Sequence, residues 1–289
     1  IQFSGPPLSA GPYTISNGPW TLDFNGAGIS NASSNVQVIA SSGVVNFNNS
    51  SSAGVSTITL SNSGAVNFNN TSTAGGANLS INSGQISFAG NSTAATSTIN
   101  SSGILEFLGN SLGGSANVTS GGTLDISGHA GNLTLASLTN ESPAGNAGAV
   151  IVGANKLQLS GGLTLAAFPG NLLDFTLFTA ANSGEIIVGG PFTGAGASQV
   201  IINITPGAAS LTSSVYDLVD WTAGSATGVD LTDFVLTSSA GYTSGYALQI
   251  NAKKLQLVKT AVPDGGNTLL LLGCAVGCMI FGHRRYANI

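Results

Sequence analysis

Five glycines, Gly43, Gly64, Gly84, Gly103 and Gly122, recur at steps of 21, 20, 19 and 19 residues, and each opens the same short pattern. Two places on stands an aliphatic residue (Val45, Val66, Ile86, Leu105, Leu124), and four places on a large apolar one (Phe47, Phe68, Phe88, Phe107, Ile126). The residues between are polar: Asn46, Asn67, Ser87, Glu106 and Asp125. Such alternation describes a strand with one face inward and the other in solvent. A strand this short cannot bury its apolar face alone, so copies at a fixed period must stack on one another. The predicted fold is therefore all-β, a parallel β-solenoid (β-helix) of ~20-residue coils with strands ~4.8 Å apart. Phe47, Phe68, Phe88, Phe107 and Ile126 form its repeat core as a continuous internal column.

A second short strand is expected upstream of each glycine, ending near Ile39, Leu60, Ile81, Ile99 and Val118, with Ile81 one place out of phase. After each phenylalanine comes a polar turn, Asn48-Asn49, Asn69-Asn70, Gly90-Asn91 and Gly109-Asn110, whose asparagines suit side-chain amide ladders between stacked coils. Thr21-Leu22-Asp23-Phe24 echoes the repeat, and looser copies begin at Gly148, Gly161 and Gly184. The expected organisation is an N-terminal cap over 1–35, solenoid over 36–205, a closing β-region over 206–260 and a separate tail over 261–289. Thr57-Ile58-Thr59 is not repeated at the period of the sequence, which argues against an ice-binding surface.

Charge narrows the function. Only 6% of the 289 residues are charged, against about a quarter in an ordinary domain. The six cations are Lys156, Lys253, Lys254, Lys259, Arg284 and Arg285, so no basic patch can neutralise a row of phosphates and nucleic acid is excluded as a partner. Hydrophobic residues at 42% supply ample core. Asp217, Asp220, Asp230 and Asp233 are the densest acids, but their spacing matches no known calcium loop. Glu106 and Asp125, outward on adjacent coils, could stand about 5 Å apart like the pair of a retaining glycosidase. Their equivalents, Ser87 and Asn67, carry no such chemistry, and two acids on a solvated ladder need no special role. His129 has no nucleophile elbow around it and reads as a surface histidine in a turn. No catalytic group, cofactor or metal is expected. Trp221 and Tyr242, with Tyr216 and Tyr246, are candidates for glycan contact, as is the outward Asn/Ser/Thr ladder.

The Gly-x-Φ-x-Phe unit followed by Asn, Ser/Thr and Ala-Gly resembles the autotransporter-associated β-strand repeats of exported bacterial surface proteins, over residues 36–190. Val215 to Trp221, Asp230 to Phe234 and Leu255 to Leu257 resemble the segment that precedes the sorting tail in such proteins. The tail carries the more specific likeness. Val262-Pro263-Asp264-Gly265-Gly266 is followed by an apolar run from Leu269 to Phe281 and then by Gly282-His283-Arg284-Arg285. This order resembles the PEP-CTERM class of bacterial sorting signals in its Val-Pro-Asp-Ser-Gly variant, with Gly265 in place of Ser and Asp264 in place of the Glu of the commoner form.

The resemblance implies an exosortase-like processing enzyme as partner, membrane passage as a short helix through residues 268–282, and Arg284 and Arg285 as a basic stop. By the positive-inside rule the basic end stays cytoplasmic and everything N-terminal to the helix lies outside. Thirteen apolar residues at about 1.5 Å each span roughly 20 Å, short of a ~30 Å hydrocarbon core, which suits a processed tail better than a permanent anchor. Cys274 and Cys278, with Gly273 and Gly277, read as small residues of that helix. The expected function is that of an exported, surface-anchored or exopolysaccharide-associated structural or adhesive protein without catalytic activity, with self-association as a further expectation. The alternatives are a carbohydrate-binding module of the extracellular matrix and, third, a β-helix polysaccharide lyase or hydrolase.

Overall fold

The computed structural model describes residues 2–3, 12–31, 35–141, 147–166, 169–196, 199–238 and 241–260. They form a parallel β-solenoid built on an 11-stranded sheet, a 10-stranded sheet and a 6-stranded sheet. Each coil gives one strand to the 10-stranded sheet, turns a corner and gives one to the 11-stranded sheet. It then returns through a turn closed by single bridges, Gly28 to Ser52 to Thr73 to Thr93 to Leu112. Thr57–Leu60, then Ala65–Phe68, then Asn78–Ile81 is one such passage.

The phenylalanine column is present as expected and is longer by one ring. Phe24, Phe47, Phe68, Phe88 and Phe107 stack with centroids 4.7, 4.9, 4.7 and 4.9 Å apart and planes within 9° of parallel. Parallel strand pairing dictates this, because Phe47 faces Phe68 and Phe88 faces Phe107 in register. Ile126 follows, fully buried. Phe24 belongs because the coiling starts earlier than the expected cap boundary. Tyr13–Gly18 pairs in parallel with Gln37–Ser41, and Thr21–Phe24 with Val44–Phe47, so much of 1–35 is already solenoid.

The second strand differs from its expected alignment. Ile39 faces Ile58, Leu79, Ile99 and Val118, whereas Leu60 and Ile81 lie one inward position further along, beside Ser41 and Ser101. The chain from phenylalanine to the next strand is equally long in four successive coils: Phe47 to Thr57, Phe68 to Asn78, Phe88 to Thr98, Phe107 to Asn117. The drift in period therefore lies wholly in the corner before the glycine. That corner is Ser102-Gly103 in one coil, Asn82-Ser83-Gly84 in another and Ser61 to Gly64 in a third. Counting back from the glycine shifts the alignment by the extra corner residues.

Beyond Asp125 the solenoid changes section. The chain gains a third sheet, starting at Leu133–Leu135 and continued in parallel by Lys156–Leu159, Glu185–Val188 and Val215–Asp220. Buried Asn140 and Asn171 tie this part together: the Asn171 amide donates to the Asn140 carbonyl, while its side-chain oxygen accepts from the Gly148 N–H. In the expected closing region, Ala226–Thr227 and Phe234–Ser238 still add parallel strands to the two long sheets. An antiparallel hairpin, Tyr246–Asn251 and Lys254–Lys259, then ends the third sheet against Val215–Asp220. Among the described residues no helix is long and apolar enough to cross a membrane. The sorting motif Val262 to Gly266, the apolar run and Arg284 and Arg285 lie outside the described residues.

Candidate functional site

Outward positions of the 11-stranded sheet form a column running from Asp23 through Asn46, Asn67, Ser87 and Glu106 to Asp125. At its start lies an amide ladder on the strand itself, ahead of the one expected at the polar turns. The Asn67 amide donates to Asn46 at 2.9 Å, and Asn46 donates to the Asp23 carboxylate at 2.7 Å. A second rail beside it links Asn69 to Asn48 and Asn48 to Asn25, each at 2.9 Å. These amides are satisfied by one another, so this part of the face holds coils together.

Glu106 and Asp125 do occupy facing positions on neighbouring strands. Each already has a local partner: Glu106 accepts from the Gln85 amide, and Asp125 accepts from the Ser127 N–H at 2.8 Å. His129 corrects its expected surface position. It is 9% exposed, with Nε2 2.6 Å from the Ser111 carbonyl and Nδ1 3.0 Å from the Gly131 carbonyl. Its ring thus fastens the inserted segment before the third sheet onto the preceding coil.

The acids of the closing region are engaged in two ways. Lys254 bridges Asp217 at 2.6 Å and Asp220 at 2.9 Å, and Lys156 pairs with Glu185 at 2.5 Å. Glu185, Asp217 and Asp220 offer oxygens within 4.8 Å of one another, the spacing of a metal site, but two ammonium groups already balance them. Hydrogen bonds to Asp217 and then Asp220 hold the Lys254 ammonium above the ordinary lysine value, against the opposing effect of burial. Burial pushes the Asp220 carboxyl up, yet the Thr222 N–H and Lys254 outweigh it and hold the group below the usual value. Asp230 and Asp233 instead form a reciprocal capping box around the short 3-10 turn Leu231–Asp233.

The aromatic candidates point inward. Trp221 is 3% exposed and packs edge-on against Phe192 at 5.1 Å, so its ring is part of the core. Tyr242 donates to the Leu177 carbonyl at 3.1 Å, and Tyr246 to the Ser213 carbonyl at 2.7 Å. The Tyr216 hydroxyl accepts from the N–H groups of Thr212 and Ser213 and donates to the Phe178 carbonyl. These tyrosines lace the closing hairpin to the last coils. Among the described residues the most exposed large aromatic is Trp20, at 74%, on the corner of the first coil. Its place between Pro19 and a strand start is the one signal in the sequence that could have singled it out.

The outer face of the 10-stranded sheet is different in kind. One outward column reads Thr57, Asn78, Thr98, Asn117, Ser137, and the other Thr59, Ser80, Asn100, Thr119, Thr139, Thr164. From Gln37–Ser41 to Phe192–Thr193 the pairing runs without a register shift. The face is charge-free along both columns. The hydroxyls of Thr57, Thr59, Thr98, Thr119, Thr139 and Thr164 make no hydrogen bond to described protein groups, and Ser137 to Asn117 at 2.7 Å is the one side-chain pair between these positions. The register, hidden by the variable corner, is what kept this face out of the sequence pattern.

No known protein-family model matches this chain, and no curated protein is significantly similar to it.

Proposed function

We propose that the protein is an exported structural or adhesive component of a bacterial surface or extracellular matrix, delivered by its C-terminal tail, and that it catalyses no reaction. One observation carries this reading: the asparagines at the start of the 11-stranded sheet and the polar groups of the closing region are spent on holding the fold together. The asparagine rails, the Lys254 bridges, the capping box and the tyrosine hydroxyls all have protein partners. The resemblance of residues 262–289 to a sorting signal supplies the route. The competing glycosidase reading rests on Glu106 and Asp125, and both carboxylates already accept hydrogen bonds, Glu106 from Gln85 on the preceding coil and Asp125 from the Ser127 N–H of its own coil.

The test is cell fractionation with surface proteolysis, comparing the full chain with a form lacking residues 262–289 in a bacterium that has an exosortase. The reading expects full-length protein accessible on intact cells and altered placement once the tail is removed. Identical distribution of the two forms rejects it. Release of oligosaccharide from bacterial polysaccharide, abolished by Glu106→Gln, would favour the enzyme instead.

A further inference from the structure

We propose that the outer face of the 10-stranded sheet binds an extended, uncharged polysaccharide laid along the solenoid axis, a proposal that deepens the matrix reading and rests on it for the source of the glycan. Four features of that face converge. The columns headed by Thr57 and Thr59 place hydroxyls and amides about 4.8 Å apart along the axis and about 7 Å apart across each strand. The axial step is comparable to one pyranose unit of an extended chain, so successive sugars meet successive coils in the same way.

Hydroxyls and amides both donate and accept, as sugar hydroxyls do. On this face the threonine hydroxyls have no described protein partner, whereas the asparagines of the 11-stranded sheet consume one another. The 10-stranded face therefore offers a continuous run of hydroxyls open to a ligand. They are also held ready, since β-branched threonine on a paired strand has little side-chain freedom to lose on binding.

Charge selects the class of glycan. Neither column carries an ionisable side chain from Thr57 to Thr164. The chain as a whole is net negative, at −5, which repels polyuronates and other acidic polymers. A uniform threonine lattice would suit crystalline water; here Asn78, Asn100 and Asn117 alternate with shorter Ser80, Thr98 and Thr119. That uneven contour suits the staggered hydroxyls of a sugar chain better than a flat ice plane.

The experiment is co-sedimentation of the full chain with insoluble cellulose and chitin, and retardation in gels containing alginate. Thr98→Lys/Asn100→Lys, which adds two positive charges, is compared with Ile104→Lys, which adds one on the exposed side of the 11-stranded sheet. Thermal melts accompany each to show that the coils remain folded. The proposal expects binding to a neutral glycan, little retardation by alginate, about a tenfold or greater loss of affinity in the double variant, and no loss in Ile104→Lys. A milder Thr98→Ala/Asn100→Ala variant should lose part of the affinity without adding charge. Absence of binding to both neutral glycans overturns the proposal, as does equal loss in Ile104→Lys or incorporation of the protein into growing ice in place of glycan binding. Those failures leave the fractionation result untouched, and failure of fractionation leaves the binding result untouched.

Discussion

The backbone of Gly103 lies so close to Gly84 that a Cβ on Gly103 would sit 2.2 Å from the Gly84 carbonyl oxygen. The same holds one coil earlier, where a Cβ on Gly84 would be 2.1 Å from the Gly64 carbonyl, and one coil later for Gly122 over Gly103 at 2.0 Å. The repeating glycine is thus a consequence of stacking: at this corner each coil rests directly on the carbonyl of the one before.

Replacing Gly103 by alanine should therefore force two coils apart and cost about 1–3 kcal/mol, the usual penalty of overpacking. Gly26 is the control, since a Cβ there meets nothing within 4 Å and its φ is not left-handed. Gly26→Ala should be neutral or stabilising by up to about 1 kcal/mol. Chemical denaturation of the two variants checks the difference, and equal midpoints would show that close approach does not explain the glycine column.

In the middle of the ring stack, Phe68 is fully buried between Phe47 and Phe88. Phe68→Ala should cost about 3–5 kcal/mol, from lost burial and an unfilled cavity. Two ring contacts disappear as well, each worth about 0.5–1.5 kcal/mol beyond area. Phe68→Leu keeps most of the volume and should cost less. A smaller loss for alanine than for leucine would contradict a packed column.

A gain is expected at Leu112. In the three preceding coils the equivalent hydroxyl accepts from the N–H two residues on: Ser52 from Gly54 at 2.9 Å, Thr73 from Gly75 at 3.0 Å and Thr93 from Ala95 at 3.0 Å. Leu112 has no hydroxyl to offer and is 58% exposed. Leu112→Thr should restore the turn and add about 0.5–1.5 kcal/mol, the net worth of one hydrogen bond. A fall in melting temperature would show that the leucine makes a more valuable apolar contact.

The coil period, the phenylalanine column and the amide rails were legible in the sequence because the chain from phenylalanine to the next strand has one fixed length and repeats its residue types. The register of the second strand was obscured for a geometric reason. Ser61 to Gly64 is a longer corner than Ser102-Gly103, and that difference hid the register of the 10-stranded sheet. With it went the outer columns of Thr98 and Asn100. Tertiary burial is not periodic, so Trp221 and His129, which have no counterpart in neighbouring coils, gave no hint of lying inside.

The last prediction concerns acid and the closing hairpin. Asp220 has a folded value below its ordinary 3.8, so it contributes stability that is complete above that pH and is lost as pH falls through the lower folded value. Lys254 has the opposite shift; its contribution is complete below 10.5 and persists until pH rises through a still higher folded value, so alkali up to about pH 10 leaves the bridge intact. These side chains are 16–30% exposed, which keeps the bridges worth about 1 kcal/mol rather than several.

Acidification from pH 5 to 3 should therefore loosen the hairpin first. Trp221 reports it, because its backbone N–H donates to the Lys253 carbonyl at the hairpin turn, 3.0 Å away. Measured in a Trp20→Phe background, its fluorescence should change before the bulk of the β-signal is lost. Lys254→Met removes the cation and leaves Glu185, Asp217 and Asp220 facing one another with Lys156 alone to balance them. Protonation then relieves repulsion, so the variant should be weaker at pH 7 and gain stability as pH falls toward 4. Parallel pH profiles for the two proteins would show that the hairpin is held by its apolar face, Leu255 and Leu257, and not by the bridge.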